Sequence, residues 1–179
     1  MTWTRISTAV VHEGPFIAVR QDVVVRPDGV RGTYEHVAMN DVVRVAALND
    51  MGDVTLVEDH FYLQRRRVLH LPGGGAEGQE PRDAAGRELA EETGLTASHL
   101  KPLGVIDPLP GVTAARVHLF VATGLRTGAP AREATEAGMK VITMPLREAV
   151  AAARAGRITE AASVAALLLV SLELEGGKK

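Results

Sequence analysis

The order of hydrophobic and polar positions predicts mostly strands in the first part of the chain. Up to residue 40, short runs rich in β-branched residues alternate with turn residues, and Pro27, Asp28 and Gly29 mark the clearest turn. This pattern predicts a small antiparallel meander. Its strands are expected at residues 8–12, 16–25 and 30–37, and further strands at 42–48, 54–57, 68–71, 103–106, 117–122 and 141–144.

Helical periodicity follows the first six strands. Ala85 and Leu89 lie four residues apart, Pro81 suits a first helical position and Gly94 suits a left-handed C-cap, which predicts a helix over residues 81–93. Two more helices are expected at 146–155 and 160–174, and the polar segment 124–138 is expected to be a mobile loop. Strands on both sides of a helix, followed by terminal helices, predict an α+β fold with helices on both faces of a sheet.

Composition and charge narrow the class of protein. A chain of 179 residues suits one ordinary domain with minor appendages. The 20 basic and 22 acidic residues nearly balance, so no global field attracts nucleic acid or an anionic membrane. The apolar tract at 161–174 falls short of the ~20 residues of a membrane span. There is no cysteine, which a reducing cytoplasm tolerates, so we expect a cytoplasmic protein that binds neither nucleic acid nor membrane.

Acidic residues on the first predicted helix carry the candidate chemistry. Glu88, Glu91 and Glu92 stand at i, i+3 and i+4, which places three carboxylates on one helix face. Their repulsion is relieved when a hard cation binds, and Mg²⁺ suits such oxygen ligands. Arg87 can orient Glu91 at i+4, and glycines 73–75 let a main-chain carbonyl approach the same ion. These residues together suit metal-assisted hydrolysis of a diphosphate.

Simpler interpretations exist for each part of this pattern. A helix rich in Arg and Glu is ordinarily a solvated face, and a glycine run is ordinarily a turn. The joint spacing of Gly73, Arg87-Glu88, Glu91-Glu92, Gly94 and Leu95 is much rarer by chance. The chain has neither a Gly-x-Ser-x-Gly elbow nor a P-loop motif, which argues against a serine triad and against P-loop phosphate binding.

Over residues 73–95 the sequence resembles the Nudix hydrolase family, with one departure. Gln79 stands where the family motif has its first Glu, a residue that supports the metal site and pairs with the motif's Arg, although Glu80 lies beside it. The resemblance implies a Nudix-type α/β/α sandwich with a mixed sheet over residues 41–179, preceded by the meander at 1–40. It also implies Mg²⁺, or Mn²⁺ as a substitute, as cofactor. The implied metal ligands are Gly73, Glu88 and Glu92, and the implied catalytic residues are Arg87 and Glu91.

Beyond that motif, residues 40–170 loosely resemble the ADP-ribose pyrophosphatase branch of the family. Pro110 occupies that branch's marker position, within what looks like its substrate loop. Phe61 stands where the branch usually has Arg, and His70 where it has Glu. ADP-ribose and a related nucleotide sugar therefore both remain candidate substrates. The N-terminal meander matches the small domain through which such enzymes commonly pair, which implies a homodimer.

Four further residues complete the predicted site. Glu136 matches the family's acidic loop better than Glu133 and is a candidate general base, although a solvated loop charge is the alternative. Arg66 could meet phosphate or belong to a charged turn. Phe61 offers a stacking face to a base, and we expect Phe61, Arg66 and Pro110 to contact substrate.

The sequence therefore predicts a metal-dependent enzyme with a small-molecule nucleotide substrate. It would cleave the pyrophosphate bond of a nucleoside diphosphate joined to another group, ADP-ribose or a nucleotide sugar, and release a nucleoside monophosphate and a sugar phosphate. One alternative is a Nudix-fold module that binds a nucleotide without turnover, which the departures at Gln79, Phe61 and His70 favour. Another is a Nudix hydrolase that acts on a different nucleotide class. The intact set of three helix carboxylates favours catalysis.

Overall fold

The computed structural model describes residues 2–131 and 138–176, and in this part the chain forms nine strands and three helices. The elements are β1 (Thr4–Glu13), β2 (Ile17–Val25), β3 (Arg31–Met39), β4 (Val42–Leu48), β5 (Asp53–Phe61), β6 (Arg66–His70), α1 (Pro81–Thr93), β7 (Leu95–Ile106), β8 (Val117–Thr127), β9 (Lys140–Pro145), α2 (Leu146–Arg154) and α3 (Ala161–Gly176). They belong to two compact units. The first unit contains Met1–Asn40 and Asp107–Arg116, and the second contains Asp41–Ile106 and Val117–Lys179.

The first unit is built on the predicted antiparallel meander, in the strand order β1-β2-β3. A turn at Gly29, which has a positive φ of 83°, joins β2 to β3. The segment 107–116 packs on β3, where the Val37 N–H donates to the carbonyl of Val112 at 2.8 Å. The Tyr34 hydroxyl likewise donates to the carbonyl of Gly111 at 2.8 Å. The segment is thus tied to β3 by side-chain and main-chain hydrogen bonds.

The second unit contains a six-stranded mixed sheet, as expected. Its order is β6-β5-β4-β8-β7, with β9 paired to β5, and β4 with β8 is parallel whereas the other pairs are antiparallel. Because β4 lies inside the sheet, its residues are buried on both faces, which explains its continuous apolar pattern.

Helices cover both faces of this sheet, which confirms the sandwich. On one face, Val43, Val45 and Ala47 of β4 pack with Ala85 and Leu89 of α1. On the other face, apolar residues of the sheet pack with α2 and α3; they include Ala46, Leu48, Leu56, Leu119, Ala149, Ala166 and Leu167. Alternate residues of β4 thus serve two separate cores.

Two predicted boundaries near β7 are wrong. A strand was expected only at residues 103–106, but β7 begins at Leu95, directly after the left-handed Gly94 at φ 74°. Its partner β8 runs on to Thr127, so residues 124–127 are strand and not the expected mobile loop. The hydrophobic pattern does not predict the whole of β7 for two reasons. The strand pairs on one side only and exposes alternate polar residues, and Pro102 lies beside a register shift. The rest of that expected loop includes residues 132–137, which lie outside the described part.

Among the helices of the described chain, none is long and apolar enough to cross a membrane.

Candidate active site

Helix α1 presents its carboxylates between the glycine loop, residues 73–75, and the strand β7. Pro81 occupies the start of the helix, and Gly94 ends it with a left-handed C-cap whose N–H donates to the carbonyl of Ala90 at 2.9 Å. The apolar side of α1 packs against the sheet, and this packing also buries two of the three carboxylates. Glu88 and Glu92 are only 7% and 4% exposed, so the predicted carboxylate face is largely buried.

The glycine loop before α1 lies against these carboxylates. The N–H of Gly73 donates to Glu92 Oε2 at 2.9 Å. Gly73 has φ 141°, a conformation that glycine tolerates and other residues rarely adopt. A Cβ at Gly74 would lie 2.7 Å from Glu88 Oε1, so a side chain there would displace the carboxylate from its present position. Main-chain hydrogen bonds from Val43 to Gly74 and from Val45 to Pro72, both 2.9 Å long, fix this loop to β4.

Arg87 connects the carboxylates to the glycine loop. Its Nη1 donates to Glu91 Oε2 at 2.8 Å, and its Nη2 lies 3.0 Å from Glu88 Oε1. Nη2 also donates to the carbonyl of Gly75 at 3.0 Å, and Nε donates to Gln79 Oε1 at 3.2 Å. Burial lowers the pKa of Arg87, but the charges of Glu88 and Glu91 outweigh it, and the net shift is upward. Arg87 therefore stays charged and orients both carboxylates.

These residues line a cavity of about 200 Å³, formed by Gly73, Gly74, Gly75, Glu77, Arg87, Glu88, Glu91 and Glu92. The lining offers carboxylate and carbonyl oxygens, which are the ligands that Mg²⁺ and Mn²⁺ prefer. Across residues 2–131 and 138–176 no three acidic or histidine side chains form a ready-made metal cluster. Since Mg²⁺ commonly uses one or two carboxylates together with water and substrate phosphate, the donor set of this cavity fits the ion.

The structure brings together the predicted residues of the motif, but Phe61 and Arg66 are not among the residues that line the cavity. Phe61 ends β5 and packs on His70, while Arg66 Nη2 donates to Thr159 Oγ1 at 2.8 Å, and neither lines the cavity. Pro110 belongs to the first unit, where it lines a pocket with Tyr34. Glu133 and Glu136 lie outside the described residues. The roles of Phe61, Arg66, Pro110 and Glu136 remain predictions.

Sequence reasoning missed a buried polar group that reaches the glycine loop. Arg44 lies on β4 and donates to the carbonyl of Gly73, and its Nε lies 3.3 Å from Glu160 Oε2. Ser163, which is fully buried, contacts the same carboxylate at 2.6 Å. One signal was available, because an Arg inside the apolar strand at 42–48 has to find a partner when the strand is buried.

Comparison with known proteins shows to which family the chain belongs. The model of the NUDIX domain matches residues 39–166, and that of the nucleoside diphosphate sugar hydrolase N-terminal domain matches residues 3–37. The chain is 34% identical to an ADP-ribose pyrophosphatase of Mycobacterium tuberculosis, over 92% of this chain and 81% of that one. It is 28% identical to an ADP-ribose pyrophosphatase of Bacillus subtilis, over 91% and 89% of the two chains. The chain therefore belongs to the Nudix hydrolase family.

A solved structure confirms the fold independently. The crystal structure of an ADP compounds hydrolase superposes with a TM-score of 0.88, and the match covers 99% of this chain and 97% of the other. The two sequences are 22% identical, so this likeness supports the architecture alone. The meander and the mixed-sheet sandwich both occur in a known structure of this kind.

Proposed function

We propose that this Nudix hydrolase cleaves the pyrophosphate bond of ADP-ribose or of a related nucleotide sugar. The products would be a nucleoside monophosphate and a sugar phosphate. The observation that carries the proposal is the cavity in which Arg87 holds Glu88 and Glu91 beside the glycine loop. The two relatives named ADP-ribose pyrophosphatase support the substrate class, because each aligns with more than nine-tenths of this chain.

Glu88, Glu92 and the carbonyl of Gly73 are the groups that would hold Mg²⁺, with Mn²⁺ as a substitute. When bound, such an ion neutralises diphosphate oxygens and makes a nearby water more acidic. The low exposure of Glu88 and Glu92 favours this role, since buried carboxylates interact strongly with a cation and are poorly screened by solvent.

The protein's own groups would guide the proton and the substrate. Glu91 is the most exposed carboxylate of the three, with 37% of its side chain accessible, and it lines the cavity. We propose that Glu91 accepts the proton of the attacking water. Arg87 would hold the Glu91 carboxylate in the orientation that this step needs. The water oxygen would form a bond to one phosphorus while the bond from that phosphorus to the bridging oxygen breaks. Glu136 stays the second candidate for the proton acceptor.

Product analysis tests this proposal directly. The purified chain would be incubated with ADP-ribose, ADP-glucose, UDP-glucose or dGTP, with Mg²⁺ or Mn²⁺, in water enriched in heavy oxygen. Mass spectrometry should find a nucleoside monophosphate and a sugar phosphate, with the label in only one of them. The Glu88→Gln variant is the matched control for contaminating activity. Release of pyrophosphate from dGTP as the main reaction would contradict the proposed substrate class.

The alternative of nucleotide binding without turnover has one observation in its favour. Arg87 already contacts both Glu88 and Glu91, so part of the negative charge of the cavity is compensated without a cation. Under this alternative, ADP-ribose would bind in a calorimetric titration and remain intact after prolonged incubation with either metal ion. A hydrolase acting on another nucleotide class would instead turn over a different member of the panel.

We further propose that the segment 1–40 is an N-terminal domain that pairs two chains as a homodimer. Every residue of β1 is exposed, including the apolar Ile6, Val10 and Val11, which suits a surface that another chain covers. Light scattering after size-exclusion chromatography should give twice the mass of the chain, and Val10→Asp with Val11→Asp should reduce it to one chain. The expected cytoplasmic location stays a prediction for cell fractionation.

A further inference from the structure

Gly73 is held at both of its main-chain polar groups by side chains. Its N–H donates to Glu92 Oε2 on α1 at 2.9 Å, and its carbonyl accepts a hydrogen bond from Arg44 Nη1 on β4. Arg44 Nη1 also donates to the carbonyl of Val43 at 3.1 Å. Because Gly73 begins a run of three glycines, its own sequence gives the peptide little preference for one orientation. These external contacts therefore fix the direction of the Gly73 carbonyl.

Arg44 is itself anchored at the beginning of α3. Its Nε lies 3.3 Å from Glu160 Oε2, and that oxygen accepts hydrogen bonds from the main-chain N–H and the hydroxyl of Ser163 at 2.8 and 2.6 Å. The hydroxyl oxygen of Ser163 in turn accepts a hydrogen bond from the Leu71 N–H at 2.8 Å. The contacts thus run from Leu71 through Ser163, Glu160 and Arg44 to Gly73, on both sides of Pro72.

The surroundings of this network keep it charged and ordered. Burial raises the pKa of Glu160, but the charge of Arg44 and the hydrogen bonds from Ser163 outweigh it, so the pKa lies below its ordinary value. Arg44 is 9% exposed and Ser163 is fully buried. A buried ion pair with several hydrogen bonds has one defined geometry, which suits the positioning of a neighbouring peptide.

We infer that Arg44, Glu160 and Ser163 are positioning residues that set the Gly73 carbonyl for metal binding. The inference rests on the proposed function, in which that carbonyl is a metal ligand. None of the three side chains lines the cavity, so each acts through the glycine loop. A structural role alone would change the stability of the fold, whereas this role also changes the affinity of the free protein for a divalent ion.

The test measures Mn²⁺ binding by electron paramagnetic resonance, without substrate and without turnover. Glu160→Gln and Ser163→Ala should each weaken Mn²⁺ binding roughly 10-fold, which is the usual effect of losing a residue that orients a metal ligand. Ser163→Thr keeps the hydroxyl and should retain most of the affinity. Glu173→Gln and Ser171→Ala are matched controls, since both residues are on α3, outside this network, and should bind Mn²⁺ like the unchanged chain.

Circular dichroism and thermal unfolding of every variant show which proteins are folded at the assay temperature. Folded Glu160→Gln and Ser163→Ala variants with unchanged Mn²⁺ affinity would overturn the inference. The proposed function would stand in that case, provided that Glu88→Gln abolishes Mn²⁺ binding. If the unchanged chain binds no Mn²⁺, both the metal site and the inference are wrong.

Discussion

The ring of Phe61 packs edge-on against the ring of His70, with ring centroids 5.2 Å apart and an interplanar angle of 87°. The two residues belong to the paired strands β5 and β6. They also occupy the two positions at which this chain departs from the ADP-ribose pyrophosphatase pattern, where Arg and Glu are usual. In this chain an aromatic pair in contact therefore occupies the positions at which the pattern has two residues of opposite charge.

His70 should make the stability of the protein depend on pH. Its Nδ1 donates to the carbonyl of Leu71 at 2.9 Å, and its Nε2 has no hydrogen-bond partner within the described residues. Burial lowers the pKa of His70, and the charge of Arg44 lowers it further. As pH falls below ~6.5, the unfolded chain gains a proton that the folded chain does not yet bind, so the free energy of unfolding decreases.

Urea unfolding at about pH 8 and about pH 5 checks this prediction. The stability of the unchanged chain should fall with pH by at most about 1.4 kcal/mol per pH unit for this one proton. His70→Gln should remove that part of the pH dependence, whereas the same change at the exposed His99 should leave it. Equal pH dependence in His70→Gln and the unchanged chain would mean that His70 does not titrate differently on folding.

Glu88→Gln and Glu92→Gln should each reduce turnover by orders of magnitude while the protein stays folded. A helix rich in Arg and Glu is ordinarily a solvated face, but both of these side chains are buried. Each substitution removes one charge from a crowded set of carboxylates, which should leave the thermal stability unchanged or raise it. Steady-state rates at saturating Mg²⁺ and thermal unfolding measure the two effects. Glu148→Gln on α2 is the exposed control, and wild-type turnover in Glu88→Gln or Glu92→Gln would refute the metal site.

The local part of this site could be predicted from the sequence, and the distant part could not. The spacing of Glu88, Glu91 and Glu92 follows from helix geometry, and Gly94 marks the end of the helix by its conformation. The contact between Arg44 and Glu160 joins residues 116 positions apart, and no local periodicity specifies such a pair. The full length of β7 could not be predicted for a similar reason. Its pairing with β8, rather than its own hydrophobic pattern, makes it a strand.

Gln79→Glu should strengthen the contact with Arg87 and improve metal binding or turnover. Arg87 Nε donates to Gln79 Oε1 at 3.2 Å, and a carboxylate there would give a shorter, charge-assisted bond. The contact is exposed, so the gain should be roughly 10-fold at most. The Glu80 side chain makes no capping hydrogen bond to α1, so Glu80→Gln should leave metal binding unchanged. Metal titrations of both variants decide whether Gln79 or Glu80 supports Arg87.

Tyr34→Phe should weaken discrimination among substrates without changing metal binding. The hydroxyl of Tyr34 donates to the carbonyl of Gly111, and this bond helps to hold the segment Asp107–Arg116 on β3. We predict that this segment contacts the part of the substrate beyond the diphosphate. Pro108 and Pro110 limit its own adaptability, so its position depends on such contacts.

The unchanged chain should therefore select among terminal groups more strongly than among bases, with ADP-ribose or nucleotide sugars far ahead of triphosphates. In Tyr34→Phe, the KM for the preferred substrate should rise while kcat and Mn²⁺ affinity stay close to those of the unchanged chain. Tyr62→Phe is the matched control, because it removes the hydroxyl of a tyrosine that is 86% exposed. Steady-state kinetics with ADP-ribose, ADP-glucose, UDP-glucose and dGTP measure these differences. A preference for dGTP would refute the substrate class, and an unaltered KM in Tyr34→Phe would show that the Tyr34 bond does not position this segment for substrate.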